Sequence, residues 1–189
     1  MIFNKKNNII FIYKKGKEKN IFYMIRKILT YPKDKEILTK KSVEVEDIHD
    51  EKVQNIIKDL IDTLKSTNGV GISAIQIGEP YRICVINWDG LHVLINPTIE
   101  RSRGTHELKE GCLSVPGLYI KHSRPQKLWI KAFNEKGEQI EYAEGGNGSY
   151  IAAHELEHFD GKCILFDTYD ELLKNNKRND YKKEERETV

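Results

Sequence analysis

The strongest chemical signal in the chain is a pair of histidines, His154 and His158, with Glu155 directly after the first. In a helix, residues four apart lie on the same face about one turn from each other, so both imidazoles can reach one metal ion. Glu155 beside them is placed to take a proton from water at such a site. The other residues of this segment are mostly small or apolar: Ala152, Ala153, Leu156 and Phe159. This pattern favours a hydrolytic metal site on a half-buried helix over two surface histidines on a charged one.

A catalytic metal site usually has three protein ligands and one open position, so the two histidines need a third partner. Downstream of them stand four acidic candidates: Asp160, Asp167, Asp170 and Glu171. Upstream, Cys112 lies in the segment EGCLSVPG at residues 110–117, and a thiolate is a good ligand for borderline and soft metals. A lone cysteine in an apolar strand is more often a core residue, so these residues alone leave the third ligand open.

A third segment, GVGISAIQ at residues 69–76, places glycines and small residues before Gln76. Such backbone suits a wall along which an extended substrate lies, and a glutamine amide can donate a hydrogen bond to a developing oxyanion. Gly-x-Gly is also a common turn, so the segment is a weak signal when it is considered alone.

Helix and strand patterns predict the elements that position these residues. Six apolar residues recur at helical spacing and predict an amphipathic helix that ends at Asn68-Gly69: Val53, Ile56, Ile57, Leu60, Ile61 and Leu64. Residues 82–88 and 92–96 flank Asp89-Gly90 and predict a β-hairpin. Strands are predicted at residues 127–133 and 139–142, followed by a glycine-rich loop at residues 144–148. Ser149 is the expected N-cap of a helix over residues 150–159 that carries the histidines.

Charge and cysteine content limit the possible functions. Of the 31 Lys and Arg residues, eight lie in residues 1–31 with one of the 29 acidic residues, which leaves 23 basic and 28 acidic residues beyond. This acidic balance argues against direct nucleic-acid binding. No apolar run approaches the ~20 residues that span a bilayer, so no membrane association is expected. Three cysteines do not indicate a disulfide framework and favour a reducing compartment.

Together, the three segments resemble the signature motifs of the peptide deformylase family: Gly-x-Gly-Leu-Ala-Ala-x-Gln, Glu-Gly-Cys-Leu-Ser and His-Glu-x-Asp-His, in that order. The chain has GVGISAIQ at residues 69–76, EGCLS at residues 110–114 and HELEH at residues 154–158. The resemblance covers roughly residues 25–170. Three residues depart from the motifs: Ile72 for Leu, Ser73 for Ala, and Glu157 for Asp.

The resemblance implies a role for each motif. Cys112, His154 and His158 would bind the metal, which is Fe²⁺ natively, with Zn²⁺, Ni²⁺ or Co²⁺ as alternatives in purified protein. Glu155 would be the general base and then the proton donor. Gln76 and the Leu113 backbone N–H would stabilise the oxyanion. An ion pair between Glu110 and Arg124 is expected beside the metal. The substrate would lie along five residues: Gly69, Val70, Gly71, Glu110 and Gly111.

The implied activity is hydrolysis of the N-formyl group of N-formylmethionyl nascent peptides, with release of formate. The ribosome is a possible partner through the C-terminal tail. We expect an α+β fold, with antiparallel sheets around a central metal-binding helix and an amphipathic helix packed outside. The expected domains are a basic leader at residues 1–24, a catalytic domain at residues 25–172 and a charged tail at residues 173–189. The leader resembles a transit-peptide remnant, which places the protein in an organelle stroma or matrix (plastid-like or mitochondrial), with bacterial-type cytoplasm as the alternative.

Two other interpretations stay open. A zincin-like endopeptidase would take its third ligand downstream of His158 and cleave internal peptide bonds. A binding module with a structural metal would need neither Glu155 nor Gln76, so the presence of both residues counts against it.

Overall fold

The computed structural model describes the backbone of residues 2–4, 9–13 and 22–187 and the side chains of residues 24–175. It confirms the predicted α+β class with antiparallel sheets. The helices are α1 Lys35–Leu38, α2 Glu51–Lys65, α3 Asn147–His158 and α4 Ile164–Glu187, with a 3₁₀ turn at Ala74–Ile77. The strands are β1 Ile2–Asn4, β2 Ile9–Tyr13, β3 Phe22–Ile25, β4 Gly71–Ser73, β5 Ile83–Asn87, β6 Leu91–Cys112, β7 Val115–Phe133 and β8 Gln139–Gly145.

The main sheet is antiparallel, with its strands in the order β4-β5-β6-β7-β8. The predicted hairpin is confirmed, since β5 and β6 pair across Asp89 and Gly90, whose φ angles are 50° and 114°. β6 and β7 run much further than predicted and pair almost to the turn between Cys112 and Val115. The central part of β6 is exposed on both faces, so its sequence lacks the apolar alternation by which a strand is predicted.

The amphipathic helix α2 covers one face of this sheet. Its first turn is capped by Asp50, whose side chain accepts a hydrogen bond from the Lys52 N–H, and its last cap residue is Ser66, just before Asn68-Gly69. Five of its six predicted apolar residues are buried: Val53, Ile56, Ile57, Leu60 and Leu64. They form one core cluster with residues of β4 and β5, such as Ile72 and Val85. Burial of this face fixes α2 beside the strand that precedes Gln76.

The helix α3 begins at Asn147, three residues before its predicted start. Ser149 is therefore not its N-cap: the serine is buried in the first turn, and its Oγ donates to the Pro125 carbonyl oxygen at 2.7 Å. The cap position belongs to Gly146, whose φ of 57° lets the chain turn directly from β8 into the helix. Ala152 and Phe159 have no exposed surface, so the apolar side of α3 lies within the core.

Regular secondary structure continues into both segments that were predicted to flank the catalytic domain, the leader at residues 1–24 and the tail at residues 173–189. β1, β2 and β3 form a three-stranded antiparallel sheet, and the predicted boundary at residues 24–25 falls inside β3. Parts of the predicted leader, residues 1, 5–8 and 14–21, lie outside the described residues. α4 carries the predicted tail as a continuous helix as far as Glu187. Within residues 2–4, 9–13 and 22–187, no helix combines the length and apolar character that crossing a bilayer would require.

Leu60→Ala tests the packing of α2. Leu60 has no exposed surface, so its truncation leaves a cavity and should cost about 2–5 kcal/mol of unfolding free energy. Lys58→Ala, on the exposed side of the same helix, should change it by no more than about 0.5 kcal/mol. Urea denaturation followed by circular dichroism measures both variants. Equal stability of the two would show that α2 does not pack as described.

Candidate metal centre

The helix α3 and the β6–β7 turn bring soft metal-ligating atoms together. His154 and His158 lie one helical turn apart, with ring centroids separated by 5.0 Å. Cys112, at the end of β6, places its Sγ 3.4 Å from His158 Nε2. Cys163, immediately before α4, joins them, and one ligand atom from each of the four residues lies within 4.8 Å of all the others. All four side chains are buried or nearly so.

This donor set fits a borderline or soft divalent ion. Thiolate sulfur and imidazole nitrogen are the ligands of zinc and related transition metals, whereas Mg²⁺ and Ca²⁺ prefer oxygen. None of the downstream carboxylates left open by the sequence belongs to this cluster: Asp160, Asp167, Asp170 and Glu171. Asp170 instead accepts hydrogen bonds from Tyr31 and Lys35. The cluster therefore offers the histidines a cysteine, and none of these four carboxylates, as a candidate third ligand.

Glu110 fixes the orientation of His154. Its Oε1 lies 2.8 Å from His154 Nδ1, which leaves Nε2 directed at the other ligand atoms. Arg124 contacts the same carboxylate with two nitrogens: Nε donates to Oε2 at 2.7 Å and Nη2 to Oε1 at 2.6 Å. Burial acts to raise the pKa of Glu110, but the hydrogen bonds from Arg124 and His154 outweigh it and lower that pKa to about 2. The carboxylate therefore stays charged at neutral pH, and the expected Glu110–Arg124 ion pair is present.

Glu157, where the family motif has Asp, binds the other side of Arg124. Arg124 Nη1 donates to Glu157 Oε1, and Nη2 donates to Oε2 at 3.0 Å. Arg124 is only 3% exposed, so its guanidinium is buried between two carboxylates. Burial disfavours its charge, yet the hydrogen bonds to Glu110 and Glu157 raise its pKa above the ordinary value. The longer side chain at position 157 thus supports the residue that holds Glu110.

Glu155 is buried between α3 and β4. Burial raises its pKa, while His154 and the hydroxyl of Ser73 act in the opposite direction. Ser73, where the motif has Ala, lies with its Oγ 2.7 Å from Glu155 Oε2 and 2.9 Å from the Glu155 backbone oxygen. A Cβ added to Gly71 would lie 2.5 Å from Glu155 Oε1, so only glycine permits this approach of β4. Ser73 thus holds Glu155 Oε2, while Glu155 Oε1 faces Gly71.

Gln76 presents its amide nitrogen to the cysteine end of the cluster. Its Oε1 accepts a hydrogen bond from the Ser73 N–H at 2.8 Å, which directs Nε2 towards the β6–β7 turn. That nitrogen lies 3.1 Å from Ser114 Oγ and 3.6 Å from Cys112 Sγ. Leu113, between these two residues in the turn, packs against Gly69, where an added Cβ would lie 2.8 Å from Leu113 Cδ1. The first and second motifs are therefore in direct contact.

A cavity of about 460 Å³ opens beside these groups. All five residues expected along the substrate line it: Gly69, Val70, Gly71, Glu110 and Gly111. Gln76, Cys112, Leu113, His154 and Glu155 line it as well. Tyr150 and Ile151 of α3 form part of its wall. The cavity thus joins an apolar surface to two candidate metal ligands, Cys112 and His154, and to the buried carboxylates of Glu110 and Glu155, the arrangement typical of a small-substrate site.

Cys163 is the residue that the sequence interpretation missed. It stands directly before Ile164 and Leu165 and is buried, with 3% of its surface exposed. Its thiol nevertheless lies close to that of Cys112, and their interaction lowers the pKa of Cys163 and raises that of Cys112. The sequence offered one signal for this proximity: Cys163 follows His158 by only five residues, directly after the turn that ends α3.

Comparison with known proteins gives one consistent family. A sequence model described as "Polypeptide deformylase" matches residues 25–175. The chain is 36% identical over 172 residues to a peptide deformylase of Aquifex aeolicus, covering 82% of this chain and all of that one. It is 42% identical over 133 residues to "Peptide deformylase 2" of Clostridium acetobutylicum, covering 69% of this chain and 87% of that one.

Solved structures give the same result. A peptide deformylase from Legionella pneumophila has a TM-score of 0.71 and 34% sequence identity, covering 83% of this chain and 98% of that one. One from Ehrlichia chaffeensis, in complex with actinonin, has a TM-score of 0.73 and 28% identity, covering 82% of this chain and 98% of that one.

Arg124→Leu tests the buried charge pair. Removing the guanidinium leaves the Glu110 carboxylate buried without its partner and should cost about 3–5 kcal/mol of unfolding free energy at pH 7. Because the pKa of Glu110 is lowered from 4.5 to about 2, its contribution is complete above 4.5 and is lost as pH falls towards 2. The difference in unfolding free energy between wild type and variant should therefore become smaller as the pH falls from 4.5 towards 2. Urea denaturation across pH measures it.

Arg101→Leu is the matched control, because Arg101 lies over the Trp129 ring on the exposed part of β6. It should cost much less than Arg124→Leu and show no narrowing in acid. A gap for Arg124→Leu that stayed constant from pH 7 to pH 2 would contradict the assigned charge pair.

Proposed function

The chain belongs to the peptide deformylase family, and we propose that Cys112, His154 and His158 hold its metal ion while Glu155 transfers the proton. It is a metal-dependent hydrolase that removes the N-formyl group from N-formylmethionyl peptides and releases formate. The observation that carries the proposed roles is the convergence of the Cys112 thiol on both histidines beside a buried glutamate. In this proposal α3 is the central metal-binding helix. The amphipathic helix α2 packs against the main sheet, on the outside of the domain.

A divalent ion held by this set supplies Lewis-acid chemistry, because it lowers the pKa of water and polarises a carbonyl oxygen. We propose Fe²⁺ as the native ion. Zn²⁺, Ni²⁺ or Co²⁺ would fit the same sulfur and nitrogen donors in purified protein. Glu110 and Arg124 act behind His154, where they keep its ring in the ligating orientation.

Glu155 moves one proton in each half of the reaction. Ser73 holds Glu155 Oε2, so Oε1 is the oxygen that takes the proton from water as that water bonds to the formyl carbon. Glu155 Oε1 then gives this proton to the nitrogen of the leaving amine as the carbon–nitrogen bond breaks. The products are formate and a free N-terminal amine. This role is supported by the cavity, which Glu155 lines together with Cys112 and His154.

Gln76 and Leu113 stabilise the negative oxygen of the tetrahedral intermediate. The Ser73 N–H holds Gln76 Oε1 and so directs Nε2 towards Ser114 Oγ and Cys112 Sγ, beside the position proposed for the oxyanion. The Leu113 N–H lies in the β6–β7 turn beside Cys112. Losing one donor of this kind typically lowers the rate by about 10²–10³-fold.

The substrate backbone pairs with β4 as an added strand. β4 is the edge strand of the main sheet, so one side of its backbone is open to an extended peptide. Gly71 on this edge and Gly111 on β6 face the cavity from two sides, with Gly69, Val70 and Glu110 beside them. The methionine side chain is received by the apolar wall that includes Tyr150 and Ile151.

Domain limits and location follow as further proposals. We assign the catalytic domain to residues 25–172, a leader to residues 1–24 and a charged tail to residues 173–189, through which ribosome contact is proposed. The family model covers residues 25–175, which supports the first assignment. An organelle stroma or matrix is one proposed location, and bacterial-type cytoplasm is favoured by relatives from bacteria such as Aquifex aeolicus.

Glu155→Gln tests the proposed proton transfer. The amide keeps the size of the side chain but cannot accept the proton, so formate release from formyl-Met-Ala-Ser should fall by at least about 10²-fold. Wild type and variant are loaded anaerobically with Fe²⁺, and metal content is measured beside formate. Equal metal content with lost activity assigns Glu155 to the chemistry rather than to metal retention.

Glu141→Gln is the control, because Glu141 is an exposed glutamate on β8. It should release formate at the wild-type rate. Undiminished activity of Glu155→Gln, or no release by fully metallated wild type, would contradict the proposed roles.

A further inference from the structure

We propose that the outer face of the β6–β7 hairpin binds acidic side chains of the substrate beyond its second residue. The inference rests on the proposed function and deepens it, because it names the class of N-formylmethionyl peptide that this chain prefers. The outer face consists of alternate residues of β6 and the residues directly opposite them on β7, from Arg101 and Trp129 at one end to Gly111 and Tyr119 at the other. Directly opposite residues of an antiparallel pair point to the same side of the sheet.

The outer face is strongly basic. Glu107, opposite Ser123, is the one acidic residue among its strand pairs. Within residues 24–175, whose side chains the structure describes, five exposed cations of this face form no ion pair: Arg101, Arg103, Lys109, Lys121 and Lys127. Unpaired positive charge therefore collects on one side of a chain whose acidic residues outnumber its basic ones beyond residue 31.

The basic face meets the substrate cavity at Lys109 and Tyr119. Both line the cavity, and Lys109 is the one lysine or arginine among the described residues that do so. Tyr119 is 61% exposed, and its ring lies over Gly111, where an added Cβ would be 2.6 Å from Tyr119 Cε1. Lys109 Nζ lies 5.1 Å from the centre of the same ring. Lys109 thus stands at the rim, where the cavity opens to solvent.

An extended peptide with its formyl group at Cys112 passes this rim when it runs back along β6. A strand rises about 3.4 Å per residue, so a peptide residue level with Gly111 is followed about two residues later by one level with Lys109. Lys121 lies directly across from Lys109, so a substrate carboxylate at this level meets two cations. Arg103, six residues further along β6, continues the positive charge for about 20 Å.

A nucleic-acid backbone is the other polyanion that a basic face attracts. The structure favours a peptide, because Lys109 shares the cavity with the groups proposed to act on the substrate. Glu107 lies between Lys109 and Arg103 on the same face, so it interrupts the continuous positive track along which a phosphate backbone binds.

Three peptides that differ only after their second residue test this inference: formyl-Met-Ala-Glu-Glu-Glu, formyl-Met-Ala-Ser-Ser-Ser and formyl-Met-Ala-Lys-Lys-Lys. Metal-loaded wild type should show a kcat/KM about 3–10-fold higher for the Glu peptide than for the Lys peptide, since exposed ion pairs are individually weak. The difference should lie in KM rather than in kcat, because these contacts are remote from the formyl carbon. Salt at about 0.5 M should largely remove it.

The double variant Lys109→Glu/Lys121→Glu should lose the preference for the Glu peptide. Lys58→Glu is the matched control, because it makes the same charge change on the exposed side of α2, and it should keep the wild-type preference. Equal KM values for the Glu and Lys peptides with wild type would overturn the inference, while deformylation of the Ser peptide would still support the proposed function.

Binding of the same peptides to metal-loaded Glu155→Gln, measured by calorimetry, gives the preference without turnover. Tighter binding of the Glu peptide would support the inference even if no peptide were deformylated, which would contradict the proposed function alone. Binding of a single-stranded RNA that is lost in Lys109→Glu/Lys121→Glu, with equal affinity for the Glu and Lys peptides, would overturn the inference and assign the outer face to nucleic acid.

Discussion

A helix that carries two histidines and a glutamate into the core imposes the constraint on which the rest of this structure depends. His154, Glu155 and His158 are each at most 6% exposed, and a buried polar group without a partner costs about 1–3 kcal/mol. Neighbouring elements supply the partners: Glu110 for His154, Ser73 for Glu155 and Cys112 for His158. His158 Nδ1 is buried without a hydrogen-bond partner among the described residues. The partners come from β4 and β6, so the two strands and the helix form one unit, within which the proposed metal ion would bind the remaining ligand atoms.

Close backbone contacts hold this unit together. Gly71 lets β4 pass directly over Glu155, and Gly69 lets the same segment pack on Leu113. The Tyr31 N–H donates to the Ser114 carbonyl at 2.8 Å, which anchors the β6–β7 turn to the segment that precedes α1. These contacts keep the amide of Gln76, the thiol of Cys112 and the carboxylate of Glu155 in fixed relative positions before a substrate arrives. Such prior orientation is what electrostatic stabilisation of a transition state requires.

Local patterns in the sequence predicted those parts of the structure that depend on local forces. The helical spacing of residues 53–64 predicted α2, and the turn preference of Asp89-Gly90 predicted the β5–β6 hairpin. The histidine spacing predicted that the two imidazoles lie on one face of α3. The length of β6 and β7 was not predicted, because their exposed middle shows no apolar alternation. The bond from Arg124 to Glu157 and the approach of Cys163 to Cys112 join residues 33 and 51 positions apart, so only the folded chain reveals them.

Thermal unfolding of the protein with and without its ion tests most directly whether the buried polar helix is organised around a metal. Zn²⁺ at about a thousand times its Kd should add about 4 kcal/mol of stability, which for a domain of this size is a rise in Tm of roughly 8–16 °C. Chelation should reverse the rise, and His158→Ala, which lacks one ligand, should show little of it. The same Tm for wild type with the ion bound and after chelation would contradict a helix organised around a metal.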